Sequence, residues 1–376
     1  MSQKHILVLS VSAGAGHVRA AQALCAAAER DFPELRLTHI DLMDIVPGGF
    51  RKVYADSYIK LVEKAPLVWA YLYQQTDKRP KKSPLDKLRR AVQKLNTRHL
   101  KDELRAHAPD AIICTHFLPA ELLSRRIAKN KPNIPPVWVQ VTDFDVHGLW
   151  IHPHMQGYCV ASDEVAFRLA ARDIPREQIA VTGIPIMPQF SAAPPRDVAA
   201  AEIGVDPAKT TLLMMSGGAG VGDLETLAQR LVALPHDLQI IVLAGRNELL
   251  LEKLREIAQH NPKRLFPMGY TRTIERVMAA CDIAITKPGG LSTSECLAMG
   301  LPMILVSPIP GQEERNADFL LESGAALMAI DAAVLEYKVR LVLDQPQRLA
   351  EMRERMRLLA KPHAARDVLR VVSLRL

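Results

Sequence analysis

Three groups of residues in this chain have types and spacings that could do chemistry. His17 follows Gly14-Ala15-Gly16 in SAGAGHVRAAQAL. The start of a helix attracts anions and disfavours an imidazolium, so a histidine there stays neutral and able to accept a proton. In MMSGGAGVGD, Gly217, Gly218, Gly220 and Gly222 could cradle a diphosphate with main-chain donors. The most specific group is ITKPGGLSTSECLAMGLPMILVSPIPGQEERNADFL. There Lys287 stands at a strand end, Pro288-Gly289-Gly290 makes a tight turn, and Ser292, Thr293 and Ser294 offer hydroxyls at a helix start. Glu295 could bind a vicinal diol through both oxygens, and Gln312 and Glu313 could hold further hydroxyls. The plainer alternatives are a tight turn, a flexible loop and a capped helix with a solvated carboxylate.

Elements of the right kind surround these residues. HILVLSV is a continuous apolar run, as in a parallel strand covered on both faces. A helix over His17–Phe32 follows, stopped by Pro33, then a strand in RLTHIDLMD. DAIICTH, PVWVQVT, GYCVAS and IAVTGIP continue the series with helical patterns between them. After a Pro- and Ala-rich stretch over 185–210, read as an interdomain connection, TLLMMSGGAGVGDLETLAQRL restarts the design of strand, glycine loop and helix. LQIIVLAGRN, RLFPMGY, CDIAITKPGG and PMILVSP supply more strands, and from Leu335 onward the chain reads as charged amphipathic helix. The fold class is therefore α/β, with two doubly wound, Rossmann-like halves.

Composition narrows the partners. The chain has 376 residues, 48% hydrophobic and 24% charged, with a net charge of +7, which favours an anionic partner. Its five cysteines form no CxxC pair and fit a reducing compartment. No apolar run reaches the roughly 18 residues of a membrane span. The apolar run after Lys4 is short and a patterned helix follows at once, so a buried first strand is expected there rather than a leader, and the protein is expected in the cytoplasm. GAGHVR begins like a dinucleotide fingerprint, with Asp41 as the ribose ligand, but Arg19 fills the third glycine position and disfavours an oxidoreductase. No GK[ST] is present, which excludes a P-loop. There is no DxD pair beside a nucleotide loop and no His/Cys cluster, so no metal or other cofactor is expected. Asp143 and Asp145 of TDFDVHGLW lie in the other half.

SAGAGHVRAAQAL, TDFDVHGLW, SGGAG, AGRN, GY and TKPGGLSTSECLAMGLPMI with PGQEERNA together resemble the monogalactosyldiacylglycerol synthase and processive diacylglycerol glucosyltransferase family, relatives of the MurG transferase. The resemblance implies a GT-B fold, its two domains facing a cleft. Residues 1–187 would form the lipid-acceptor and membrane-docking domain and 208–350 the UDP-sugar domain, with 351–376 a helical tail packing back on the first. It implies inverting, metal-independent transfer of a hexosyl or hexuronosyl group from a UDP-sugar to diacylglycerol. By similarity Glu295 binds the uridine ribose and the backbone of Met268, Gly269 and Tyr270 reads uracil. Gly217, Gly218, Gly220, Ser292 and Thr293 surround the diphosphate with Arg246, while Gln312 and Glu313 hold the sugar. Lys287 and Arg246 are the cations for the leaving group. His17 is the acceptor-side base, with room beside Gly14 and Gly16 for a glycerol hydroxyl. Asp143 and His147 are orienters or an alternative base, or simply polar residues ending a strand. The rival readings are a MurG-like transferase for a polyprenyl-linked acceptor and a non-catalytic lipid- or nucleic-acid-binding protein on the same frame; no nucleic acid is expected as partner.

Residues 51–105 interrupt the βα pattern. Tyr54, Tyr58, Leu61 and Val62 share one helical face, Trp69, Leu72 and Tyr73 another, and Lys78, Arg79, Lys81, Lys82, Lys87, Arg89, Arg90, Lys94 and Arg98 follow. An apolar face beside a polybasic run suits peripheral docking on the anionic inner face of the cell membrane, at about 1 kcal/mol per basic residue. The alternative is an ordinary solvated helix pair. Neutralising Lys81, Lys82, Arg89 and Arg90 together should lower recovery with anionic liposomes in flotation; unchanged recovery would remove this docking surface.

Overall fold

The computed structural model describes residues 3–12, 14–46, 77, 99–129, 134–215 and 224–376. The expected glycine loop over 216–223 and the aromatic and basic residues of 51–98 named above lie outside the described residues. The chain divides into two compact units. Unit 1 is Met1–Pro188 with Ile309–Gln312 and His363–Leu376; unit 2 is Gln189–Pro308 with Glu313–Pro362.

Unit 1 runs β1 (Lys4–Ser10), α1 (Ala15–Asp31), β2 (Leu35–Asp41), β3 (Ala111–Cys114), α2 (Phe117–Ala128), β4 (Val137–Gln140), β5 (Gly157–Val160), α3 (Asp163–Ala170) and β6 (Ile179–Val181). Its strands form one parallel sheet in the order β2-β1-β3-β4-β5-β6. The centre of β1, residues 6–9, is apolar because both faces are covered. Ile6 and Val8 pack with Ala21, Leu24 and Ala28 of α1, while Leu7 and Leu9 pack with Leu118 and Leu122 of α2. The first helix starts two residues before the expected position, because Gly14 at φ 98° turns the chain there.

Unit 2 runs α4 (Arg196–Ile203), β7 (Thr210–Met215), α5 (Leu224–Val232), β8 (Leu238–Gly245), α6 (Glu248–His260), β9 (Leu265–Gly269), α7 (Ile274–Ala279), β10 (Ile283–Thr286), α8 (Gly290–Met299), β11 (Met303–Val306), α9 (Gln312–Glu322), β12 (Ala326–Ala329), α10 (Ala332–Asp344) and α11 (Pro346–Leu359). Its parallel sheet has the order β12-β11-β10-β7-β8-β9. The stretch read as a bare connection carries α4, held by an Arg196–Asp282 ion pair and by Arg196 Nη2 donating to the Lys209 carbonyl at 2.9 Å.

The tail is three helices rather than one. Pro346 lacks an N–H and starts α11 at its first position, and Pro362 separates α11 from α12 (Ala364–Ser373). Only α12 belongs to unit 1, where Val368, Leu369 and Val372 bury against the alanine face of α1. Each such side chain contributes about 1.5–3 kcal/mol. Arg375 then lies 5.2 Å from the Trp138 ring centre and donates to the Glu177 carbonyl at 2.7 Å.

Trp138 also explains a small residue in β5. A Cβ on Gly157 would come within 2.7 Å of Trp138 Cε3 and 2.9 Å of the Gln178 carbonyl oxygen. Gly157→Ala should therefore destabilise the protein by about 1–3 kcal/mol through overpacking, read from urea unfolding. An unchanged midpoint would mean that Trp138 has room to move.

Candidate active site

In a doubly wound sheet the ligand crevice opens at the carboxyl ends of the strands, where the strand order reverses. In unit 1 that point lies between β1 and β3, and in unit 2 between β7 and β10. His17 follows β1 and Thr115-His116 follows β3. In unit 2 the expected glycine loop follows β7 and Lys287 follows β10.

His17 occupies the first turn of α1, half-buried. Its Nδ1 is 3.0 Å from the Thr115 carbonyl oxygen and 2.9 Å from Thr142 Oγ1. A carbonyl can only accept, so Nδ1 carries the proton and Nε2 keeps the lone pair. Thr115 Oγ1 donates to the His17 carbonyl at 2.9 Å, closing a two-way clasp. His116 stands edge-on to the imidazole at 4.6 Å, and the Trp150 ring centre is 6.1 Å away. Loss of water around the ring pushes the His17 pKa down to about 4, against the smaller opposing effect of the Thr115 carbonyl. His116 caps α2, its Nδ1 accepting from the Leu118 amide at 3.0 Å, and burial holds it well below the ordinary value too. The two rings thus sit side by side as opposite tautomers, both neutral.

Gly14 has open space where a Cβ would be, and it and Ala15 are exposed while Gly16 is half-buried. Asp41 is engaged by backbone: its Oδ1 accepts from the Ser12 amide at 3.1 Å and the Met43 amide at 2.9 Å, which gives it a turn-holding role in place of a ribose contact. Asp143, Asp145 and His147 are all buried in the loop after β4. His147 Nδ1 accepts from the Leu149 amide at 3.1 Å, capping the single turn Gly148–Trp150. Asp145 pairs with Arg168 at 2.5 Å. Gln312, in the segment grouped with unit 1, donates from Nε2 to Asp143 Oδ1 at 2.7 Å.

In unit 2, α8 begins at Gly290, and its cap, Gly289, has no side chain to cover the first amides. Thr293 is fully buried, and its hydroxyl has no hydrogen-bond partner among the described residues. Ser294 turns back onto the Gly290 carbonyl at 2.8 Å, so its hydroxyl is not at the helix start, whereas Ser292 is half-buried there. Glu295 is buried in the second turn of α8. Glu313 Oε1 lies 3.7 Å from where a Cβ on Gly289 would be, and Asn316 Nδ2 donates to the Pro288 carbonyl at 3.1 Å. Lys287, half-buried, directly follows β10. At the carboxyl ends of β8 and β9, Arg246 stacks over the Tyr270 ring at 4.9 Å, beside Met268 and Gly269. All strands of the sheet are parallel, so these residues and the α8 group share its carboxyl edge. Among the described residues, no three His, Cys, Asp or Glu side chains are grouped to hold a metal ion.

Thr115, His116, Thr142, Trp150 and Asn316 were not singled out from sequence. For Thr115, His116 and Thr142 the local signal is a polar residue at the carboxyl end of an apolar strand, as in IICTH and VWVQVT, whereas Trp150 and Asn316 lie inside TDFDVHGLW and PGQEERNA.

The family profile described as monogalactosyldiacylglycerol (MGDG) synthase matches residues 17–186, and the glycosyltransferase family 28 C-terminal domain matches 212–368. The chain is 31% identical to a processive diacylglycerol beta-glucosyltransferase of Bacillus cereus, covering 96% of this chain and 91% of that one. It is 29% identical to the protein of the same name from Bacillus pumilus, over 98% of this chain and 94% of that one. The crystal structure of Acinetobacter baumannii MurG superposes with a TM-score of 0.64 at 17% identity, over 98% of this chain and 99% of that one, which establishes the GT-B fold.

A neutral His17 makes stability depend on pH. Its pKa falls from 6.5 in the unfolded chain to about 4 in the folded one, so the contribution is complete above pH 6.5 and lost as pH falls toward 4. His5, His39 and His116 act in the same direction. The urea midpoint should drop between pH 7 and pH 4.5, and by less in His17→Gln. An equal drop in the variant would show that His17 titrates normally.

Proposed function

Since the chain belongs to the monogalactosyldiacylglycerol synthase and processive diacylglycerol glucosyltransferase family, and is therefore a glycosyltransferase, we propose that it moves a hexosyl or hexuronosyl group from a UDP-sugar to diacylglycerol, with inversion at the anomeric carbon. The observation that carries this reading is the His17 imidazole, held neutral with Nδ1 on the Thr115 carbonyl and Nε2 left as acceptor. Inversion in a single displacement needs one base, which takes the proton from the acceptor hydroxyl as its oxygen attacks C1 of the sugar. The C1–O bond to the diphosphate breaks, and UDP leaves with the electron pair.

Unit 2 holds the nucleotide in this proposal. Glu295 takes the ribose diol, and Met268, Gly269 and Tyr270 meet the uracil. The free amides of α8, the unpartnered Thr293 hydroxyl, Ser292 and the loop of Gly217, Gly218 and Gly220 receive the diphosphate. Lys287 and Arg246 offset the charge growing on UDP, without a resident metal. Gln312 and Glu313 contact the sugar, and Asp143 and His147 support the acceptor side. The synthase profile falls on the half that carries His17, which supports diacylglycerol over a polyprenyl-linked acceptor. The basic residues of 78–98 suit action at the inner membrane surface. Among the described residues, no helix is long and apolar enough to cross a membrane.

Incubation with diacylglycerol in anionic vesicles and each UDP-sugar in turn should give a glycolipid with at least one donor; none with any donor defeats the reading. His17→Ala should lower turnover by at least about a hundredfold with UDP affinity retained. Glu295→Ala should weaken UDP binding instead.

A further inference from the structure

Asp77 lies 71 residues before Gly148 in sequence, yet it is bonded to the loop beside His17. Its Oδ1 accepts from the Gly148 amide at 2.8 Å and from Arg172 Nη1 and Nη2 at 3.2 and 3.1 Å. The Asp77 backbone is also close: a Cβ on Gly148 would lie 2.7 Å from its carbonyl oxygen. Position 148 therefore needs glycine because the Asp77 main chain occupies the space.

Gly148 opens the turn Gly148–Trp150. That turn is held within itself, the Trp150 amide donating to the His147 carbonyl at 2.9 Å. Its product is the placement of Trp150, whose buried indole lies 6.1 Å from the His17 ring, 6.3 Å from His116 and 5.9 Å from Phe117. A second ion pair, Arg168 to Asp145, ties the same loop to α3, the helix that Arg172 follows.

We propose that Asp77 is a positioning residue for the acceptor side: its carboxylate, shared between Arg172 and the Gly148 amide, seats the Gly148–Trp150 turn so that the indole walls the His17 imidazole. The charge of Asp77 is answered by Arg172, and the amide it accepts from is one that the first turn of a helix leaves without an internal partner. An aspartate far from the reacting atoms thereby sets how the acceptor hydroxyl meets Nε2, where a misplacement of about 1 Å costs up to about a hundredfold in rate. Its role in turnover rests on the transferase reading; its role in seating Trp150 does not.

The test uses the full chain and separates the two. In Asp77→Ala, a loosened indole admits water to His17, whose imidazole titration, followed by NMR, should move from about 4 toward 6.5. In the same variant kcat/KM for diacylglycerol should fall by about ten- to a hundredfold while UDP affinity, measured by calorimetry, stays at the wild-type value. Gly148→Ala, which pushes on Asp77 without changing charge, should do the same. Asp77→Asn keeps an oxygen for the Gly148 amide and should stay within about threefold of wild type. An unmoved His17 titration in both Asp77→Ala and Gly148→Ala overturns the proposal, as does a matching loss of UDP affinity, which would mark general damage. If wild type glycosylates no lipid, the transferase reading fails and the titration alone decides the role of Asp77.

Discussion

A single backbone carbonyl governs the surroundings of His17. Thr115 presents its oxygen to His17 Nδ1 at 3.0 Å, which assigns the proton to that nitrogen and leaves Nε2 basic. The carbonyl is there because β1 and β3 pair in parallel with Leu9 opposite Cys114, so the residue after each strand arrives at the same edge of the sheet. The Thr115 amide continues the ladder onto the Leu9 carbonyl, while the Thr115 carbonyl meets His17 in the first turn of α1. Move the register by one residue and His17 meets a different face of β3.

The rest of the site in unit 1 exists to keep that imidazole dry and still. His116 takes the opposite tautomer because the α2 amide of Leu118 claims its Nδ1, so the two neighbouring rings coexist without charge. Trp150 closes another side. Desolvation outweighs the one contact that favours the cation, so the ring is neutral across the physiological range. In unit 2, among the described residues, α8 has no side-chain cap and the buried Thr293 hydroxyl has no hydrogen-bond partner.

Much of this was legible in the sequence because it is local. The apolar run HILVLSV reads as a doubly covered strand because every residue of it is buried in one face or the other. Gly14 and the following helix sit within a few residues of each other, as do Lys287, Gly289 and Glu295. Local reasoning failed where a proline or a distant partner intervened. The charged tail has a helical pattern throughout, and only Pro346 and Pro362 divide it into helices that serve different units. The stretch over 185–210 has the composition of a linker, but Arg196 finds Asp282 and folds part of it into unit 2.

By itself, then, the order of residues determined the alternation of strand and helix, the glycine-led entry to α1 and the placing of an imidazole at that helix entrance. Those depend on periodicity and on backbone freedom, which act over a handful of neighbours. Tertiary structure alone decided which nitrogen of His17 is basic, since Thr115 and Thr142 stand 98 and 125 residues away. It alone brought Asp77 to Gly148 across 71 residues. Hydrogen bonds of that reach are set by strand pairing and packing, and no local pattern encodes which side chains will meet.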